Sequence, residues 1–272
     1  MQRLAQPETA GKLDWPDEDC IFLTKSVFQG VNVSDISIIA IDGTSASGKS
    51  TIGALLAQRL GYVFFDTGIM YRAVTWVALH RGISVQDEPA VVRLAEDTLI
   101  TVERPHLEDG RQSTVRADGQ DITWEIRTPE VDAAVSPVSA YLGVRKALTL
   151  QQRRIGQQGH IVMVGRDIGT VVLPDADLKI FMDATPQERA RRRYAEMRSR
   201  GEKPRYKDVL AAIIRRDKYD SERDIAPLSK ADDAVYLDTT KLSIEDVLDK
   251  VLSLVQQRER EEPMHDAGPA TD

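Results

Sequence analysis

The run Gly43-Thr44-Ser45-Ala46-Ser47-Gly48-Lys49-Ser50-Thr51 has the residue types and spacing of a loop that wraps phosphate. Gly43 and Gly48 can take turn conformations closed to other residues. Successive backbone N–H groups can then point inward at a helix N-terminus, where the aligned peptide dipoles favour an anion. Lys49 adds a mobile cation, Ser50 offers the hydroxyl suited to the Mg²⁺ of a bound nucleotide, and Thr51 is a second polar residue at the helix start. Arginines form the second feature. Arg189, Arg192 and Arg193 lie at i, i+3 and i+4, and Arg216, Asp220 and Arg223 at i, i+4 and i+7, so each set shares one helix face. Three arginines converging without carboxylate partners repel one another until a phosphate relieves them. Arg72, in Asp66-Thr67-Gly68-Ile69-Met70-Tyr71-Arg72, and Arg166, in Gly165-Arg166-Asp167-Ile168-Gly169-Thr170, each follow an apolar segment and are read as clamps on a second phosphate.

These groups need a scaffold, and the chain reads as alternating strands and helices. Ile36 to Asp42 is a strand leading into the loop; the helix after it ends near Gly61. Strands follow at Tyr62 to Asp66, Ile161 to Gly165, Lys179 to Asp183 and Ala234 to Asp238. Helices are expected over Gly68 to Arg81, Ala90 to Leu99, Pro137 to Gln158, from Pro186 to a break at Gly201 to Pro204, from Tyr206, and from Ser243. Strands that alternate with helices imply a parallel sheet with right-handed crossovers and ligands at its carboxyl edge. Thr98 to Glu103 and Ser113 to Ala117, around the turn Glu108 to Arg111, read as a small hairpin interrupting that pattern.

Composition narrows the class. The 272 residues are 42% hydrophobic and 29% charged, with no apolar run of membrane-spanning length and no secretory signal pattern. The single cysteine, Cys20, excludes an intramolecular disulfide and a cysteine-cluster metal site, which suits a reducing cytoplasm. The net charge of −7 argues against general nucleic-acid binding. Between Pro186 and Arg223, however, 13 Lys or Arg stand against 7 Asp or Glu, a local excess suited to a small polyanion.

In order along the chain, the phosphate loop, Asp66 to Arg72, Ile126-Arg127-Thr128-Pro129-Glu130-Val131, Val144-Arg145, Gly165 to Thr170, the Arg189/Arg192/Arg193 helix, and Arg216 through Ile225-Ala226-Pro227-Leu228 closely resemble the bacterial cytidylate kinases. The resemblance covers about Ile36 to Gln256. It implies an α/β, three-layer P-loop kinase fold with a parallel central sheet, a small inserted lobe for the nucleoside monophosphate carrying a β-hairpin, and a helical lid. On that plan residues 1–35 form a weakly ordered leader, 36–256 the kinase domain (core 36–85 and 134–256, inserted lobe about 86–133, lid about 189–206), and 257–272 a disordered tail. The implied reaction moves a phosphoryl group from ATP to CMP or dCMP, with Mg²⁺, in a cytoplasmic enzyme expected to be a monomer that engages neither nucleic acid nor membrane.

Residue by residue, the resemblance gives the whole phosphate loop, Gly43 to Thr51, to ATP, with Arg189 and Arg193 closing over it from the lid and Arg192 nearby. Arg72, Arg166 and Arg223 would hold the acceptor's phosphate, with Ser45 close by. Asp167 and Arg145 would read cytosine, Ser136 would add a hydroxyl, Arg216 and Asp220 would reach the ribose, and Thr67 and Tyr71 would line the pocket. Lys49, Arg166, Arg189 and Arg193 would act in catalysis, and Ser50 would meet Mg²⁺ through the nucleotide. The chain departs from the family in its longer leader, in Ala46, where some members carry glycine, in Ser50, where many do, and in Arg104 to Arg116, which matches the family poorly.

A phosphate oxygen of CMP is already anionic near neutrality, since a phosphomonoester's second pKa is about 6, so this reaction needs no general base. It needs alignment and charge neutralisation. A kinase of a small hydroxyl acceptor, shikimate-like or gluconate-like, would share loop and lid but require a base, for which Asp66 or Asp167 could serve. A GTPase is disfavoured because the lone asparagine, Asn32, precedes Val33 and leaves no guanine-reading motif. A non-catalytic nucleotide-binding module would have no use for so many convergent arginines.

Overall fold

The computed structural model describes residues 36–103 and 107–261. Cys20, Asn32 and the rest of the leader, and the tail beyond 261, lie outside the described residues.

Five strands, β1 (Ile38–Gly43), β2 (Val63–Asp66), β6 (Ile161–Val164), β7 (Leu178–Asp183) and β8 (Val235–Asp238), form one sheet in the order β2-β6-β1-β7-β8. Every pairing in it is parallel. Strand β1 is central, and its alternating side chains serve both faces. Ile39 and Ile41 pack with Ile52 and Leu56 of α1 (Lys49–Leu60) and with Val247 and Val251 of α8 (Ile244–Glu261). Ala40 joins Met70, Val74 and Ala78 of α2 (Gly68–His80) on the opposite face. Burial on both faces is what an all-parallel sheet requires, and it accounts for the unbroken apolar reading of these strands. The parallel sheet with helices packed on both faces is the three-layer α/β arrangement that the sequence implies.

Between α2 and β6 the chain leaves this pattern. After α3 (Glu88–Asp97), strands β3 (Ile100–Glu103), β4 (Thr114–Ala117) and β5 (Gln120–Asp121) make a separate antiparallel sheet in the order β3-β4-β5, so the expected hairpin is one strand larger. Arg111 fastens it from inside, reaching Asp109 and Asp121, both at 2.7 Å.

The helix expected over Pro137 to Gln158 is a second correction. Two helices are present, α4 (Pro129–Ala140) and α5 (Leu142–Gly156), with Tyr141 extended between them at ψ 124°. Pro129 occupies the first position of α4, where its missing N–H costs nothing, and Thr128 before it is held extended. Pro137 therefore lies inside a helix rather than starting one. Tertiary contacts set the break: the Tyr141 hydroxyl donates to the Val85 carbonyl at 2.8 Å, and a Cβ on Gly143 would strike Val92 at 2.5 Å.

Helix α6 (Pro186–Ser199) packs on α7 (Tyr206–Glu222), and Ala190, Val209 and Ile213 form a small core between them. The last helix continues to Glu261, into the stretch from 257 expected to be a disordered tail, and Arg258 reaches back to the Asp177 carbonyl at 3.2 Å.

Candidate active site

Strand β1 ends at Gly43, whose φ of +144° suits glycine, and a Cβ there would lie 1.8 Å from the Met182 carbonyl oxygen on β7. Only glycine permits the phosphate loop to leave the sheet at this point. Ala46 holds φ +59°, a left-handed conformation that glycine would adopt without strain. Gly48, at φ +101°, opens α1 with no side-chain cap and no acidic residue in the first turn, so the helix start is left to an anion. Lys49 folds back and donates to the Thr44 carbonyl at 2.6 Å. Burial pulls its pKa well down, Arg166 adds to the fall, and Asp66 and Asp42 oppose it. The Ser50 hydroxyl donates to Asp66 at 2.7 Å, and Asp66 also takes the Gly68 N–H at 2.9 Å.

At the neighbouring strand end, β6 leads into Gly165, Arg166 and Asp167 and then a wide helical turn over Ile168–Val172. Asp42, beside the phosphate loop, accepts the N–H groups of Ile168 and Gly169 at 2.8 and 2.7 Å and ties this segment to β1. Burial, only partly offset by those two bonds, raises the Asp42 carboxyl to about 6. Asp167 and Arg145 form a buried ion pair. The Arg145 guanidinium also donates to the Ser139 carbonyl at 3.0 Å and lies 5.5 Å from the Tyr71 ring centre. Arg166 donates to Asp220 at 3.0 Å. Burial raises the Asp220 carboxyl, but Arg166 and Arg216 outweigh it and the net shift is downward. Arg216 is pulled down to about 10 by burial and then by Arg166. Its Nε, and Nη2 of Arg223, are buried with no acceptor. Guanidinium N–H groups left unpaired in this way are costly, and an anion would satisfy them.

Helix α6 does not present its arginines as the spacing implies. The three have carboxylate partners and diverge, which corrects the expectation of mutual repulsion. Arg189 is sunk at 2% exposure, bound through both Nη atoms to Asp217 at 2.8 and 2.6 Å and to the Ser45 carbonyl at 3.1 Å. It braces the phosphate loop from beneath, so its expected place in a lid is also corrected. Arg192 joins Glu188, the Ser47 carbonyl and Thr239. Arg193 alone of the expected pair faces outward, pairing with Glu196 and, 61 residues away in sequence, with Asp132. Asp132 also binds Arg72, whose other nitrogen donates to the Ile126 carbonyl at 3.0 Å.

Except for Gly43, Thr44 and Arg189, every residue expected at the site lines one cleft of about 1750 Å³. Thr67 lines it too, but its hydroxyl is spent on the Val164 carbonyl. The carboxylates that complete the site, Asp42, Asp132 and Asp217, carry no signal in sequence spacing because their partners are distant in the chain. Asp66, the first residue of the Asp66 to Arg72 motif, lies against the phosphate loop.

Comparison with known proteins gives a consistent result. Residues 39–257 match the family model described as cytidylate kinase. A cytidylate kinase of Herpetosiphon aurantiacus is 48% identical over 80% of this chain and 93% of its own. Those of Chloroflexus aggregans (54%, over 67% and 80%) and Bacillus velezensis (46%, over 82% and 97%) are also similar.

Proposed function

Because the chain belongs to the cytidylate kinase family, we propose that it transfers the terminal phosphoryl group of ATP to the phosphate of CMP or dCMP. The observation that supports this acceptor most is the Arg145–Asp167 pair under Tyr71. Cytosine shows an amino donor beside two acceptors, so a carboxylate next to a guanidinium matches its edge. Uracil would set a carbonyl against the carboxylate. In the free protein the two side chains satisfy each other, and the base would insert between their charges.

The donor's phosphates fit the open start of α1, with Lys49 released from the Thr44 carbonyl to follow them. Arg72, Arg166 and Arg223 then hold the acceptor's phosphate, Ser45 lies between the two, Arg216 and Asp220 take the ribose, and Ser136 and Thr67 complete the wall. The acceptor oxygen is anionic, so the work left to these residues is alignment and charge neutralisation. Arg193 would supply lid charge, with Gly201 to Arg205 as the lid tip; Arg189 would contribute by holding the Ser45 carbonyl.

The residues present fit a magnesium ion brought in with ATP. The Ser50 hydroxyl and Asp66 carboxylate are adjacent hard oxygen donors, and among the described residues no group of three or more His, Cys, Asp or Glu side chains forms a cage that would exclude the need for phosphate ligands. When bound, Mg²⁺ would neutralise charge on the phosphates. Among the described residues no helix is long and apolar enough to cross a membrane, and we place the enzyme in the cytoplasm as a monomer, acting on small molecules rather than nucleic acid. ADP release measured against CMP, dCMP, UMP, AMP, GMP and shikimate tests the reading: stimulation by CMP or dCMP is expected, and none by either would overturn it.

A further inference from the structure

Arg127 belongs to a motif of which only the Ile126 carbonyl, held by Arg72, enters the site described above. It ends the short helical turn Glu125–Arg127, and the extended Thr128 and Pro129 after it prevent that turn from running on into α4. Ile126 is buried and anchors the turn in the core, which turns Arg127 toward the cleft it lines. The Ile126 carbonyl is held by Arg72, so Arg72 and Arg127 approach the cleft as one mechanical unit.

Four other arginines of the cleft have carboxylate partners. Arg72 has Asp132, Arg145 has Asp167, Arg166 has Asp220, and Arg193 has Asp132 and Glu196. Among the described residues the Arg127 guanidinium makes no hydrogen bond or ion pair. Its Nε is buried without an acceptor, and the guanidinium lies over the face of Trp124, 5.6 Å from the ring centre. Burial depresses its pKa; Arg72 and Arg200 add to the fall, and Asp66 and Glu196 oppose it. A partly desolvated cation beside a second arginine is unfavourable in the free protein, and a dianion between the two removes the cost.

We propose that Arg127 is a further binding residue for the acceptor's phosphate monoester, closing on it together with Arg72. The inference rests on the cytidylate kinase reading. Arg72 would exchange Asp132 for phosphate oxygens, and Arg127, with five donors and no partner to give up, would bind without an exchange.

The test is calorimetric titration of CMP and of MgATP into the wild type, Arg127→Gln and Arg127→Lys at several salt concentrations. A charge-assisted contact corresponds to about ten- to a hundredfold in affinity. Arg127→Gln is expected to weaken CMP by about that factor and flatten its salt dependence, with ATP changed less than about twofold. Arg127→Lys should recover part of the affinity and the wild-type salt dependence. CMP binding within twofold of wild type in Arg127→Gln, or weakened with unaltered salt dependence as a purely structural role would give, overturns the inference. Wild-type turnover on CMP is measured alongside: its absence sinks the acceptor assignment, and its presence leaves any failure with Arg127.

Discussion

Asp132 Oδ2 lies 2.6 Å from Arg193 Nη2, joining the first turn of α4 to the charged face of α6 across the cleft. Its other oxygen is 2.5 Å from Arg72. One carboxylate thus occupies two guanidinium groups that the proposed reaction needs for two different substrates, and it stands where phosphate oxygens would.

Asp132 should therefore compete with substrate. All three side chains are about a quarter exposed, so each ion pair is worth roughly 0.5–1 kcal/mol, or about two- to fivefold in affinity. Asp132→Asn is expected to lower KM for CMP and ATP by about that factor. Raised KM values would instead show that Asp132 organises the arginines for binding.

Lys49 is the loop's mobile cation and, in the free protein, an ammonium buried at an energetic cost. Lys49→Met should reduce kcat by at least about a hundredfold, the usual scale for losing one preorganised donor to developing charge. The melting temperature should hold or rise, because the desolvated charge is gone. Near-normal turnover would contradict the loop's role.

Asp167→Ala leaves Arg145 buried at 4% exposure without its carboxylate. Uncompensated buried charges of this kind cost about 3–5 kcal/mol. KM for CMP should rise by two orders of magnitude or so while KM for ATP moves little, as separate saturation curves would reveal. Equal losses for both substrates would assign Asp167 to structure alone.

Asp42 sets a pH dependence of stability. Its carboxyl is raised from 3.8 to about 6 in the folded protein, so between those values the native state holds the proton more tightly than the unfolded chain. Its contribution to stability is present below about pH 4 and is lost as pH rises through 6, amounting to about 3 kcal/mol. Asp42→Asn carries no such dependence. Its melting temperature relative to wild type should therefore climb between pH 4 and pH 6.5, and parallel pH profiles for the two proteins would refute the assignment.

The elements that proved legible in sequence are those whose causes are local. The phosphate loop follows from glycine placement between a strand and a helix, and the parallel strands follow from short apolar runs separated by helices. Thr128-Pro129 is an equally local helix start, an extended residue before a first-turn proline, and Pro137 competes with it as a start signal from inside the same helix. The break at Tyr141 had no such signal, since Val85 and Val92 enforce it from more than fifty residues away. The third strand of the small sheet is two residues long, below the length at which alternation can be seen.

For the site, the chain's order of motifs determined the family, the loop that wraps phosphate and the set of residues that gather in one cleft, because each motif has its chemistry written in adjacent residues. Tertiary structure decided which charges oppose which. The spacing of Arg189, Arg192 and Arg193 puts them on one helix face, yet Asp217 and the Ser45 carbonyl draw Arg189 under the phosphate loop while Asp132 draws Arg193 across the cleft. Helical periodicity fixes the direction in which a side chain leaves its own helix. The partner that it meets is set by the packing of helices distant in sequence, and in a low-dielectric cleft that partner determines whether an arginine braces the loop, is held by a carboxylate, or is left unpaired.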